Sequence, residues 1–167
     1  MVELGIVGGR NSGKTTLVET LAKSLVGLGY RVATVKHTSH DHTFDQPGKD
    51  SYRHRRAGAG MTLAVSDSEL AVFADSTEVH RQLLMDAMAT QFDICLVEGD
   101  RSAMRPKLLV TRNREAGDRD FPSNIVALYG PTLPEMQVPS FAFDDIDGLV
   151  TFIVRQYLTP SKEATSV

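Results

Sequence analysis

Apolar residues along the chain fall into short blocks whose spacing alternates between compact strand-like runs and the three-to-four-residue repeat of a helix. Val2 to Val7 is such a run and reads as a buried strand. Leu17, Val18, Leu21 and Leu25 recur at helical spacing, which predicts a helix from Lys14 to about Leu28, closed by Gly27 and Gly29. Arg31 to Lys36 (RVATVK) reads as a second strand, which a right-handed crossover places parallel to the first. The pattern then breaks at His37 to Asp50, a stretch too polar for core. Asp50 or Ser51 is the expected cap of a short helix through Ala57, ended by Gly58-Ala59-Gly60. Met61 to Val65 and Leu70 to Phe73, separated by Ser66-Asp67-Ser68-Glu69, read as a β-hairpin. Val79 to Ala89 returns to helical spacing. Asp93 to Glu98 is an apolar strand that ends on an acid, Lys107 to Val110 and Asn124 to Leu128 are further strands, and Ile146 to Leu158 is a terminal helix.

This alternation, broken by one hairpin, predicts an α/β fold: a doubly wound, mostly parallel sheet with a β-hairpin insertion and ligands outside the carboxyl ends of its strands. No repeat or linker divides the chain, so residues 1–159 are expected to be a single domain, and 160–167 (PSKEATSV) a frayed tail.

Composition narrows the function class. A chain of 167 residues with 41% hydrophobic and 23% charged residues is an ordinary globular protein able to bury a core. A net charge of −3 argues against nucleic acid or a membrane surface as partner. No run of 18 apolar residues occurs, and no basic segment precedes the first strand. The single Cys95 lies inside Ile94-Cys95-Leu96-Val97, so a buried thiol and a reducing, cytoplasmic setting are expected.

The chemistry starts where the first strand ends. Gly8 to Thr15 reads GGRNSGKT, a complete G-x-x-x-x-G-K-[ST] phosphate-binding loop between a strand and a helix. That makes the fold P-loop NTPase-type. The expected nucleotide site is Gly8, Gly9, Arg10, Asn11, Ser12, Gly13, Lys14, Thr15 and Thr16. Glycine lets successive N–H groups close around a phosphate, Lys14 neutralises developing charge as the catalytic cation, and the Thr15 hydroxyl can ligate Mg2+. The helix adds its positive end. Glu98, delivered to the carboxyl edge of a buried strand beside Gly99, is the expected second acid for the metal.

Three further groups carry chemistry. His37, His40 and His42, with His54 not far along the chain, leave open a zinc site, a solvated loop, or a loop facing the nucleotide or another anion. Asp45 and Asp50 stand where switch segments of nucleotide hydrolases lie, and Asp45 is the candidate catalytic acid for orienting water. Arg53, Arg55 and Arg56 form either a grip for a phosphorylated partner or the wet face of a helix. The N/T-K-x-D segment of guanine-specific hydrolases is missing: Leu108-Leu109-Val110-Thr111 runs into Arg112-Asn113-Arg114. Motif chemistry therefore leaves GTP and ATP both open. A small-molecule kinase using either nucleotide is the alternative function, with Asp45 or Asp50 as base and Arg112, Arg114 and Arg119 as lid arginines.

GGRNSGKTTL, the segment KHTSHDHTFDQPGKDSYRHRRAGA from Lys36 to Ala59, and LVEGDR from Leu96 to Arg101 together resemble the MobB family of molybdopterin-guanine dinucleotide biosynthesis adaptor proteins. The resemblance covers the chain from its first strand to about residue 111. It implies a dimeric GTP-binding accessory protein with feeble GTPase activity, GTP and Mg2+ as cofactors, and a place beside MobA, the guanylyltransferase that joins GMP to molybdopterin. Thr15 and Glu98 would hold Mg2+. The positions Lys36, His37, Asp45, Pro47, Gly48, Lys49, Asp50, Ser51 and Arg53 match the family's second motif. His37, His40, Asp50 and Arg53 are thereby candidates for contact with a partner or with molybdopterin. The hairpin from Met61 to Phe73 offers an edge for pairing between protomers.

Overall fold

The computed structural model describes residues 1–38, 42–112 and 120–158. Its backbone divides into two compact units. The first holds the described residues up to 38 and from 89 onward, and the second holds 42–88.

The first unit is built on a six-stranded sheet. Its elements are β1 (Val2–Gly8), α1 (Lys14–Gly27), β2 (Val32–Lys36), β5 (Ile94–Glu98), β6 (Lys107–Val110), β7 (Ile125–Tyr129), β8 (Ser140–Phe141) and α4 (Ile146–Tyr157). The strand order is β2-β5-β1-β6-β7-β8, and every neighbouring pair is parallel. β2 is parallel to β1, as a right-handed crossover predicts, but β5 lies between them. β5 is buried along its whole length because it has a strand on each edge. A parallel strand of this kind reads as an unbroken apolar run, which Ile94-Cys95-Leu96-Val97 is.

One face of the sheet packs Leu4, Ile6, Leu96, Leu108 and Val110 against Leu17, Leu21 and Leu25 of α1 and Leu149 and Ile153 of α4. The opposite face gathers Val7, Leu109 and Leu128 under Leu133, with Phe121, Ile125, Met136 and Val138 packed around them. α1 ends as the glycine pattern predicts: Gly29 has φ 89 and its N–H reaches the Val26 carbonyl at 2.9 Å. α4 starts on Asp145, whose Oδ1 accepts the Gly148 N–H at 3.0 Å. β8 is absent from the sequence reading. Two residues are too few to carry a period, and only the pairing of Leu128 and Tyr129 with Ser140 and Phe141 reveals it.

The second unit contains α2 (Asp50–Arg56), β3 (Met61–Val65), β4 (Leu70–Ala74) and most of α3 (Glu78–Gln91). β3 and β4 form the expected antiparallel hairpin as a sheet of their own, with Val65 opposite Leu70. The cap of α2 differs from expectation. Lys49 is its N-cap, and Asp50 is instead the first helical residue, where its charge suits the helix dipole and pairs with Arg53 at 3.3 Å. The expected tail at 160–167 lies outside the described residues. Among the described residues no helix is long and apolar enough to cross a membrane.

Cys95 is fully buried in β5, and burial, with the Glu3 carboxylate adding to it, pushes its thiol up to about 11. Reactivity needs the thiolate, so a disulfide reagent at about pH 8 should leave Cys95 unmodified in the folded chain and label it at once in denaturant. Rapid labelling of the native protein would contradict this packing.

Candidate functional site

β1 delivers the chain to the sheet's carboxyl edge, and the loop that follows is held by contacts only glycine tolerates. A Cβ on Gly8 would lie 2.8 Å from both Ser12 Oγ and the Val110 carbonyl. Asn11 has φ 56, and Gly13, the N-cap of α1, has φ 97. This backbone turns the first N–H groups of α1, which have no intrahelical acceptor, toward the space beyond the loop.

Inside the loop two polar groups lack ordinary partners or have makeshift ones. Ser12 is 1% exposed, and its Oγ has no hydrogen-bond partner. Lys14 folds back on the loop, donating to the Gly9 carbonyl at 2.6 Å and the Gly8 carbonyl at 3.3 Å. Burial holds its ammonium below the ordinary lysine value, Glu98 opposing and Lys36 reinforcing the shift. A buried unpartnered hydroxyl and a partly desolvated cation facing one space are what a bound anion would satisfy.

The carboxylate of the site is placed by ladder register. Glu98 is the register partner of Ile6 on one side and of Lys36 on the other. Its Oε1 accepts from Thr15 Oγ1 at 2.9 Å and from Lys36 Nζ at 2.7 Å. Thr15, Lys14, Lys36 and Glu98 line a cavity of about 380 Å3 together with residues 10–13. The structure thus brings the loop and Glu98 together, and adds Lys36 as the direct counter-charge of Glu98.

Gly99 makes that closeness possible. It has φ 99, and a Cβ there would sit 2.5 Å from the His37 carbonyl, while the His37 N–H donates to the Glu98 carbonyl at 2.8 Å. The segment after it is braced from beneath. Asp100 accepts from Arg105 Nη1 at 2.6 Å, and Arg105 Nε reaches Glu3 at 2.9 Å. Burial would raise the Asp100 carboxyl, but the Arg105 hydrogen bond and charge outweigh it and hold it low. Lys107 is completely buried and donates to the carbonyls of Ala103, Arg105 and Ser123, its pKa lowered by burial. Neither brace is visible as a motif. The acid-to-arginine spacing in Asp100 to Arg105 was the available signal for the first.

Most of the other expected residues belong to the second unit or lie outside the described residues. Asp45 is buried in the second unit, Oδ1 accepting from Ser51 Oγ at 2.9 Å and Oδ2 without a partner. Asp50 and Arg53 pair with each other on the surface of α2, and Arg55 pairs with Asp75 at 3.0 Å. His42 rests edge-on against Phe44. His40, Arg114 and Arg119 lie outside the described residues. Among the described residues no three of His, Cys, Asp and Glu gather as a metal site, and His40 of the zinc reading is not one of those residues.

A family model described as Molybdopterin guanine dinucleotide synthesis protein B, MobB, matches residues 3–129. The chain belongs to the MobB family. It is 34% identical over 151 residues to the molybdopterin-guanine dinucleotide biosynthesis adapter protein of Escherichia coli, covering 86% of each chain. The protein of the same description from Haemophilus influenzae is 38% identical over 114 residues, 65% of this chain and 62% of that one. Among solved structures, Bacillus subtilis MobB superposes with a TM-score of 0.72 at 24% identity, over 94% of this chain and 98% of that one. A MobB homolog from Bacillus stearothermophilus gives 0.66 at 25% identity, over the same shares. The fold is that of the MobB structures, a mostly parallel central sheet with helices.

Gly99 supplies a test of how this MobB-family chain holds Glu98. Gly99→Ala adds both left-handed strain and a clash with the His37 backbone, and should lower stability by roughly 1–3 kcal/mol in urea unfolding. An unchanged midpoint would show that the segment from Glu98 to Asp100 can relax freely.

Proposed function

We propose that this chain is a GTP-binding accessory protein in molybdenum cofactor biosynthesis, with weak GTPase activity, acting as an adapter in the synthesis of molybdopterin-guanine dinucleotide. The observation that carries the nucleotide reading is the convergence of Lys14, Thr15 and Glu98 on one cavity beside the buried, unpartnered Ser12 hydroxyl. Membership of the MobB family, and the adapter names of its relatives, support the pathway.

In this reading the loop N–H groups and Lys14 hold the phosphates of GTP. Lys14 leaves the Gly8 and Gly9 carbonyls for them, and stabilises charge on the transferred phosphoryl group. The oxygen donors Thr15 Oγ1 and Glu98 Oε1, 2.9 Å apart, suit Mg2+, which favours hard oxygen ligands and keeps much of its water. Mg2+ would supply charge neutralisation between the β and γ phosphates. The fit carries one condition: Lys36 Nζ, now on the same Glu98 oxygen, has to yield that oxygen. The proposed partners are a second copy of the chain, the MobA guanylyltransferase and molybdopterin, in a cytoplasmic setting. The surface offered for self-association is the hairpin, where Leu63, Val65 and Leu70 are exposed.

Thermal shift with GTP, GDP and ATP plus Mg2+, followed by phosphate release with and without a candidate acceptor, tests the proposal. GTP should stabilise the chain with slow, acceptor-independent turnover, whereas rapid acceptor-dependent turnover would establish the kinase alternative. Lys14→Ala should abolish the GTP-dependent shift and leave the ligand-free melt in place.

A pH dependence follows from Lys14. Its pKa lies below the ordinary value of 10.5 because of burial, and only its protonated form attracts phosphate. Affinity for the triphosphate should therefore fall as pH rises through the alkaline range, at a lower pH than an unperturbed lysine would allow. Calorimetric titration over that range, with Lys14→Arg as the variant whose charge persists, separates this effect from general alkaline loss.

A further inference from the structure

A second cavity, of about 520 Å3, adjoins the phosphate loop on the far side of the α1 N-terminus. Asn11, Ser12 and Gly13 line both cavities, so one ligand can span them. The volume falls within the roughly 300–1,000 Å3 of small-molecule sites. All of its walls belong to the first unit, and three of its lining side chains form an ordered stack.

The stack centres on Phe143. The Arg112 guanidinium lies over its ring at 4.5 Å from the centroid, and Tyr129 meets it edge-on at 5.2 Å. Tyr129 Oη also donates to the Phe143 carbonyl at 2.8 Å. Gly130 closes the arrangement from below, because a Cβ there would lie 2.5 Å from Phe143 Cζ. A planar cation and an aromatic ring held in register form a surface on which a flat π-system stacks. Next to this surface stands Asp144, which lines the same cavity, is exposed, and makes no hydrogen bond or ion pair among the described residues.

We infer that this cavity receives the purine base of the nucleotide, stacked at Arg112 and Phe143, with Asp144 as the residue that selects guanine. The inference rests on the nucleotide reading above and adds to it the element that the missing N/T-K-x-D segment leaves unassigned. A carboxylate only accepts hydrogen bonds. Guanine presents two adjacent donors, N1–H and the N2 amino group, that match its two oxygens. Adenine presents an acceptor at N1, which an unprotonated carboxylate opposes. Discrimination therefore comes from attraction to one base and repulsion of the other.

Asp144→Asn supplies the test, because the amide turns one acceptor into a donor. Xanthine carries a carbonyl oxygen where guanine carries the N2 amino group, so the variant should exchange preference between them. Full-length protein with Mg2+ is titrated calorimetrically with GTP, XTP, ATP and tripolyphosphate. The wild-type chain should favour GTP over ATP and XTP, and Asp144→Asn should weaken GTP and strengthen XTP by roughly 10- to 100-fold each. Phe143→Ala should bring GTP affinity down toward that of tripolyphosphate, its melting curve serving as the check that the chain remains folded. Equal binding of GTP and ATP, or an Asp144→Asn variant whose GTP-to-XTP ratio is unchanged, overturns the assignment of Asp144 while the phosphate site stands. Failure of the wild-type chain to bind either tripolyphosphate or GTP overturns the nucleotide reading itself, and this inference with it.

Discussion

The site depends on one constraint, the parallel register of β5 between β2 and β1. That register sets Glu98 beside Lys36 on one side and in line with Ile6 on the other, two residues before the phosphate loop begins at Gly8. Because β5 has a strand on each edge and apolar packing along it, the ladder cannot slide without exposing Leu96 and breaking both sets of backbone bonds. The carboxylate is therefore held by the core of the sheet, while its partner Thr15 comes from the helix that the loop opens. A chemical pair separated by 83 residues in sequence meets at 2.9 Å as a consequence of sheet geometry.

Around that fixed point the structure stores polar capacity that its own residues do not use. Ser12 Oγ is buried without a partner, and Lys14 is satisfied by two loop carbonyls while burial disfavours its charged form. Leaving such groups buried costs free energy, of the order of 1–3 kcal/mol for an unpaired hydroxyl. An anion entering the loop removes that cost, so the same features that depress stability in the free chain raise affinity for phosphate. The braces beneath Gly99, in which Arg105 joins Asp100 to Glu3 and Lys107 gathers three carbonyls, limit how far the loop region can relax to escape that cost.

Much of this was legible along the chain. The loop motif, the β5 acid and the alternation of elements each follow from local residue pattern, and the MobB resemblance joined them to a family. What local pattern does not carry is pairing. Lys36 stands at the end of a strand, and its pairing with Glu98 shows only once β2 is seen beside β5, because the order β2-β5-β1 places β5 between two strands that follow one another in sequence. Asp45 belongs to the second unit, bonded to Ser51, which no spacing rule reports. The short β8 carries too few residues for a period, yet its pairing to β7 is what sets Phe143 against Gly130 and Tyr129. A search for one contiguous base-reading motif fails here because the residues concerned come from the ends of β6, β7 and β8.

The Lys36 contact bears on how charge is managed under the proposed function. Without a cation, Lys36 neutralises Glu98 from the exposed rim of the site. A divalent cation at Glu98 would repel that ammonium and release it from the carboxylate. Because the ammonium leaves Glu98 as the metal arrives, the positive charge beside that carboxylate would rise by less than simple addition of a metal would bring. The same exchange opposes tight metal binding, because the cation must compete with an ion pair already formed at 2.7 Å. Weak hold on the metal, with an intact hold on the phosphates through the loop and Lys14, is a combination that favours keeping a nucleotide over cleaving it.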